Sequence, residues 1–229
     1  MSEYSKSIED FYLNDYESIM DNGLVGKMWR YIHKLIDKPF SGLVRISLIE
    51  VGSGNGQHFN FSEISTKRYV EVDLRKSINS KVDPKKAEDY GRDFIQDDAT
   101  HLVKFSDFQF DALIATCLLA HLADMETTLM NWRRVVKPGG ILSIYIPNEP
   151  GILLRLARGL TTKRRIKKRG YNHEFIHWKE HRNHFPGMRS MIKHVFEKDT
   201  IKFRSFPFHF LGWNLGLFTL VEIRRSQRI

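Results

Sequence analysis

The chain has 229 residues, 41% apolar and 12% aromatic, which suffices for one substantial core and excludes a disordered or fibrous polypeptide. Its single cysteine excludes an intrachain disulfide scaffold, and Cys117, in the apolar run after a strand, reads as a small packed thiol. The 36 basic and 27 acidic residues leave a net charge of +9, so an anionic partner is in question.

The first seventeen residues are polar and acidic, where an export signal needs a basic start followed by an apolar stretch, so a cytoplasmic chain is expected. Helical patterning covers much of residues 5–38 and defines an N-terminal helical segment over 1–40. Strands then recur near 45–51, 68–73, 93–96, 110–115 and 141–146, with amphipathic stretches between them. That alternation predicts parallel strands linked by helices in one domain over 1–229. Pro138, Gly139 and Gly140 are expected to stop a helix holding Trp132, Val135 and Val136. Residues 201–206 and 215–223 read as a terminal strand pair within 201–229, close enough in sequence to run antiparallel. Phe206 to Val221 is the nearest approach to a membrane span, but Pro207, His209, Gly212, Asn214 and Gly216 interrupt it.

The densest chemistry follows the first strand. Ile46, Leu48, Ile49 and Val51 lead into Gly52, Gly54 and Gly56, which remove the side chains that would hold a turn away from a ligand. A dinucleotide fingerprint would place its third glycine at position 57, which is Gln57. The pattern is instead Glu50-x-Gly-x-Gly-x-Gly, whose carboxylate can meet a cationic group on a ligand carrying an amino acid and a sulfonium. Asp73 closes the second strand 17 residues after Gly56, where a Rossmann-like site uses a carboxylate to accept both ribose hydroxyls, and is the ribose candidate; the other reading is an acid that caps the next helix.

Together with the segments downstream, these residues resemble the class I S-adenosylmethionine-dependent methyltransferases, in particular the small-molecule branch called methyltransferase type 11. EVGSGNG, VEVD, FIQDDATHL, FDALIATCLLAHL and RRVVKPGGILSIYIP match that family's motifs in order over residues 45–150. The resemblance implies a Rossmann-like, doubly wound α/β fold with a seven-stranded sheet and an antiparallel last strand. It implies S-adenosyl-L-methionine as cofactor, S-adenosyl-L-homocysteine as product, and a donor-binding core over 45–147. The donor site would comprise Glu50, Gly52, Ser53, Gly54, Asn55, Gly56, Asp73, Leu74, Asp98, Ala99, Ala115 and Thr116, with Asp98 reaching the adenine amino group.

Residues 148–200 exceed what one crossover helix needs and read as a helical, basic, substrate-covering insertion between strands five and six. Residues 151–200 hold 13 Lys or Arg and 4 Asp or Glu, so they carry +9 and the rest of the chain sums to zero. The run Lys163 to Arg169 follows a stretch in which Ile152, Leu153, Leu156, Ala157 and Leu160 share one helical face. Such a pairing can face solvent, attract an anionic small-molecule acceptor, or rest on an anionic membrane, which would make the protein peripheral at the inner membrane face. Nucleic acid is not expected, because the basic run lacks aromatic residues to stack on bases and Ala115 to Leu118 replace the Asn/Asp-Pro-Pro-aromatic motif of base-amine methyltransferases.

His173, His177, His181 and His184, spaced by four, four and three, predict one helical stripe. No metal is expected there, since neither an HExxH motif nor cysteine support is present. His121 follows the fourth strand and is the first general-base candidate, with His181 the second; Asp124 either orients His121 or caps a helix. Tyr171, Arg182, Asn183 and His184 are the candidate acceptor contacts. The resulting expectation is methyl transfer to an oxygen or nitrogen of an anionic small molecule, with a carbohydrate or cell-envelope intermediate preferred. Phospholipid head-group N-methylation, RNA methylation and non-catalytic donor binding follow in that order.

Overall fold

The computed structural model describes residues 8–20, 22–75, 82–208 and 210–227. Residues 5–7 of the expected N-terminal helix, together with Asp21, lie outside the described residues. Seven strands form one sheet: β1 (Ile46–Val51), β2 (Thr66–Asp73), β3 (Arg92–Gln96), β4 (Phe110–Thr116), β5 (Val136–Pro147), β6 (Thr200–Phe206) and β7 (Phe218–Arg224). Their spatial order is β3-β2-β1-β4-β5-β7-β6. β1 through β5 pair in parallel, while β7 runs antiparallel between β5 and β6. The order reverses between β1 and β4, and the crevice at the carboxyl ends of those strands is where open α/β sheets take ligands.

Alternation along the strands builds two cores. On one face Ile49, Val51, Leu113, Leu142 and Ile144 pack with Leu129 and Trp132 of α5 (Met125–Val135) and with Phe185, Met188 and Ile192 of α9 (Phe185–Val195). On the other, Leu48, Tyr69, Ile114 and Tyr145 meet Trp29, Ile32 and Ile36 of α2 (Gly23–Asp37). Trp132 is fully buried and donates from Nε1 to the Ala99 carbonyl at 2.8 Å, which ties α5 to the loop after β3. Asp124 caps α5, accepting from the Thr127 N–H at 3.0 Å, so capping is the role the structure gives it.

The α5–β5 boundary differs from the sequence expectation. The helix stops at Val135, and Val136 already pairs with Phe110 as the first residue of β5. Lys137 to Gly140 then form a bulge that shifts the register before Ile141 meets Ala112. Gly139, at φ +76°, supplies the bend that the proline and glycines suggested, inside a strand rather than between two elements.

Between β5 and β6 lie α6 (Ile152–Leu160), α7 (Thr162–Lys168), α8 (His173–Glu180) and α9. α7 and α8 form a third apolar cluster with the N-terminal segment, in which Ile166 and Ile176 meet Ile8, Phe11 and Ile19, the last from α1 (Tyr16–Met20). Half of the basic run is consumed here. Arg165 donates to the Ile19 and Asn22 carbonyls, and Arg169 pairs with Asp15 at 2.8 Å. Lys163 pairs with Glu174 at 2.6 Å.

Candidate active site

The turn after β1 is shaped by three left-handed glycines, Gly52, Gly54 and Gly56, at φ +70°, +55° and +70°. A Cβ on Gly52 would fall 2.8 Å from Cδ2 of Leu118, whereas one on Gly54 would meet nothing within 4 Å. Gly52 therefore makes room for the loop after β4, and Gly54 offers bare backbone to open space. Asp73 holds the turn from the neighbouring strand: its oxygens accept from the Gly54 and Arg75 N–H groups, both at 2.9 Å. Gly56 is the first residue before α3 (Gln57–Phe61). Ser53 Oγ is buried without a hydrogen-bond partner among the described residues.

Around this turn, Leu74 is exposed, Ala99 and Ala115 are buried, and Thr116 is half-buried at the end of β4. Asp98 accepts from the Thr100 N–H at 2.8 Å, an arrangement that fixes its carboxylate at the carboxyl end of β3. Asn55 occupies the turn itself. Glu50 departs from expectation. It is completely buried among Tyr69, His58 and Glu71 instead of facing the open turn, and Tyr69 donates to its Oε2 at 2.7 Å. Burial raises its pKa, and His58 and the Tyr69 bond only partly offset that.

The N-terminal segment reaches the same end of the sheet, which patterning alone did not reveal. Tyr12 lies near Tyr16, Glu180, Cys117 and Arg75, and the Arg75 guanidinium stands 5.7 Å from its ring centroid. Burial, followed by Tyr16, raises its phenol pKa.

A second centre forms where β5 ends. Glu149 is nearly buried, and both of its oxygens lie 2.8 Å from Nδ1 of His181. His177 Nε2 is 3.2 Å from Oε2, and Arg158 pairs with Oε1. Burial opposes ionisation of Glu149, but the His181 hydrogen bond and the Arg158 charge outweigh it and hold the carboxyl down at about 2. His121 packs edge-on against His181 with ring centroids 4.7 Å apart. Burial and then His181 push His121 down to about 4, and burial does the same to His177.

Glu149, Arg158, His177 and His181 border a cavity of about 940 Å³ whose walls also include Arg155, Arg182 and His184. Ile152, Leu156 and Trp178 supply its apolar side. The glycine turn is not part of that wall, so this cavity marks the insertion side of the site. Cys117, at φ +60° behind β4, is pushed up to about 12 by burial and by Glu149, which keeps it a neutral thiol.

The histidine stripe is not one helix. α8 ends at Glu180 because the Arg182 and Asn183 N–H groups turn to the Ala120 carbonyl, at 2.9 and 3.0 Å, and Pro186 opens α9. His181 thereby caps α8, and His184 precedes α9. Two expected acceptor contacts are engaged elsewhere. The Tyr171 hydroxyl donates to Asp15 at 2.9 Å, and the Asn183 amide donates to the Leu119 and Leu122 carbonyls. Glu149, which no local motif singles out, is the residue that organises the histidines.

Glu149, His177 and His181 also bring their ligand atoms within 4.8 Å of one another, a donor set of the type that holds divalent cations. Here the carboxylate already faces two imidazoles and the Arg158 guanidinium, so its charge is balanced from within the protein.

Residues 49–144 match the family described as methyltransferase domain. No curated protein matches the chain. Among solved structures, a putative S-adenosyl-L-methionine-dependent methyltransferase from Methanococcus maripaludis superposes with a TM-score of 0.64 at 17% identity, over 100% of this chain and 99% of that one. Phosphoethanolamine N-methyltransferase 2 of Haemonchus contortus, solved with S-adenosyl-L-methionine, gives 0.61 at 17% identity over 96% of this chain. The CurJ carbon methyltransferase gives 0.62 at 20% identity over 93%. This chain spans 60% and 58% of the last two, so both carry additional structure.

The sheet order, the glycine turn with its two following acids, and the family match define a class I S-adenosylmethionine-dependent methyltransferase domain. The domain match over residues 49–144 and the fold support a methyltransferase that uses S-adenosyl-L-methionine.

Proposed function

We propose that this enzyme methylates an oxygen or nitrogen of an anionic small molecule held in the 940 Å³ cavity, with a carbohydrate or cell-envelope intermediate as the preferred class. The observation that carries this reading is the Glu149–His181 pair on the cavity wall, beside the loop that follows β4. Bound S-adenosyl-L-methionine supplies an electrophilic methyl carbon on a sulfonium. The backbone of Gly52 to Gly56 would hold the amino-acid end, Asp73 the ribose and Asp98 the adenine.

The remaining work belongs to the chain. Glu149, ionised throughout the neutral range, fixes the His181 ring through Nδ1 and leaves Nε2 as the proton acceptor. An acceptor hydroxyl placed against Nε2 gives up its proton there as its oxygen forms the bond to the methyl carbon. With the donor bound, its sulfur would take back the electron pair of the carbon–sulfur bond, and S-adenosyl-L-homocysteine would be the product. His121 supports the His181 ring edge and is neutral at working pH. Arg155 and Arg182 attract a negatively charged acceptor.

Turnover with a panel of nucleotide sugars and lipid head groups tests the proposal. Release of S-adenosyl-L-homocysteine with at least one anionic acceptor, lost in His181→Ala, supports it. Donor binding without turnover across the panel would favour the non-catalytic alternative. Phospholipid head-group methylation stays as the second reading because the apolar stripe of α6 faces outward beside the cavity, which would place the enzyme at the inner membrane face.

A further inference from the structure

An amphipathic helix at the surface of a domain normally turns its apolar stripe inward. α6 does the opposite. Ile152, Leu156 and Leu160, one turn apart, are 52%, 61% and 66% exposed, while Leu154 is the buried residue of the helix. Trp178 of α8, which lines the same cavity as Ile152 and Leu156, is 84% exposed. The connection between β6 and β7 adds Phe208, Phe210, Leu211 and Leu215, all exposed. That connection abuts α6, since Asn214 Oδ1 accepts from the Ile152 N–H at 3.1 Å, and Trp213 stacks on Phe185 at 5.3 Å beside His184 of the cavity wall. Large exposed apolar side chains thus lie on three elements, two of which line the cavity while the third abuts α6.

Cations border this surface. Arg155, Arg164, Lys167 and Lys168 are exposed, and residues 151–200 carry a net charge equal to that of the whole chain. Apolar side chains projecting from a cationic collar match the interfacial region of an anionic bilayer, where rings and leucines enter the acyl boundary and lysines and arginines meet head-group phosphates. A soluble anion would account for the cations but not for Trp178, Leu160 and Phe210.

We infer that the enzyme docks on an anionic membrane through the outward faces of α6, Phe208 and residues 210–215, and that its acceptor is an anionic, lipid-anchored molecule entering the cavity from the bilayer. The inference rests on the proposed methyltransferase site and names its substrate class. The bilayer seats the lipid part outside the protein, Ile152, Leu156 and Trp178 flank the chain where it emerges, and the head group reaches Arg182 and His181.

Flotation with vesicles of phosphatidylglycerol and phosphatidylcholine in equal parts, against phosphatidylcholine alone, tests the docking at low and high salt. The expected result is retention on the anionic vesicles at low salt, weakened by salt, and at least about tenfold weaker binding for the double variant Leu160→Glu/Phe210→Glu. Calorimetry with S-adenosyl-L-homocysteine should give the same affinity for wild type and variant, showing that the variant is folded. Absence of wild-type retention, retention of the variant equal to wild type, or preference for an RNA oligomer over the vesicles would each overturn the inference. Absence of donor binding in the wild type would instead overturn the methyltransferase reading, so the two failures are distinct.

Discussion

The donor half and the acceptor half of this protein are built on different physical terms. Around the glycine turn the work is done by backbone: left-handed glycines, N–H groups and a carboxylate lying across the turn, with Leu118 packed where a Cβ would be. In the insertion the work is done by side chains drawn from distant positions, with Glu149, Arg158, His177, His181 and His121 converging on one another. A backbone site tolerates almost no added atom, whereas a side-chain site can lose a charge and keep its shape. Substitution should therefore separate the two halves cleanly.

The largest effect is expected from Gly52→Val. The new side chain must enter space held by Leu118 while its backbone stays at φ +70°, so the turn has to move. Affinity for S-adenosyl-L-homocysteine, measured by calorimetry, should fall by at least about a hundredfold, because the turn is the recognition surface. Unchanged affinity would mean that the turn does not hold the donor.

Glu149→Gln should do the reverse. The amide fills the same volume and still bonds His181, but it no longer stabilises a protonated imidazole. Turnover is expected to fall by about a hundredfold, within the range for general-base machinery, while donor affinity stays constant. Treatment with a chelator should leave wild-type turnover unchanged if His181 works as a base balanced by Glu149. Loss of turnover restored by a divalent cation would assign Glu149, His177 and His181 to a metal instead.

The contrast also explains what was legible in the sequence. Backbone recognition needs contiguous residues, so Gly52 to Gly56, the acids Asp73 and Asp98, and the positions of the strands could all be read from local runs. Side-chain convergence leaves no such trace. Glu149 and His181 are 32 residues apart, and only the fold brings the end of β5 to the end of α8. The histidine spacing suggested one helix because spacing cannot see that Arg182 and Asn183 bond Ala120 and break it. The charge of the basic run was visible, but its division was not: Arg165 and Arg169 clamp the N-terminal segment, while Arg164, Lys167 and Lys168 face water. Glu50 shows the same limit. Its place in a ligand-binding motif was plain, but strand alternation turns its carboxylate inward toward Tyr69.

That inward carboxylate gives the donor half a pH dependence. Glu50 and Glu71 are paired neighbours on β1 and β2, so their carboxyls compete for ionisation. Burial, then the charge of Glu50, raises Glu71 to about 8, with Arg92 pulling the other way. Between 4.5 and about 8 the folded protein keeps a proton that the unfolded chain has released, so this contribution is complete below the first value and lost as pH rises through the second. The midpoint of thermal unfolding should fall from pH 5 to pH 8.5 in the wild type and change less in Glu71→Gln. Equal slopes in the two proteins would show that Glu71 is ionised in the fold.

The smallest effect concerns the clamp between the halves. Asp15 accepts the Tyr171 hydroxyl at 2.9 Å and pairs with Arg169, but both charged side chains are partly exposed, so water and salt screen the pair. Asp15→Ala should cost about 1 kcal/mol of global stability, a shift of about 2 to 4 °C for a domain of this size. The local consequence should exceed the global one, because the N-terminal segment meets the insertion through a small apolar cluster of Ile8, Phe11, Ile19, Ile166 and Ile176. Hydrogen exchange should therefore rise over residues 8–20 and 163–171 while the β1 and β4 amides stay protected. Uniform acceleration across the sheet would show that the N-terminal segment belongs to the main core, and the two halves would then be one cooperative unit instead of a rigid donor platform with a separately held cover.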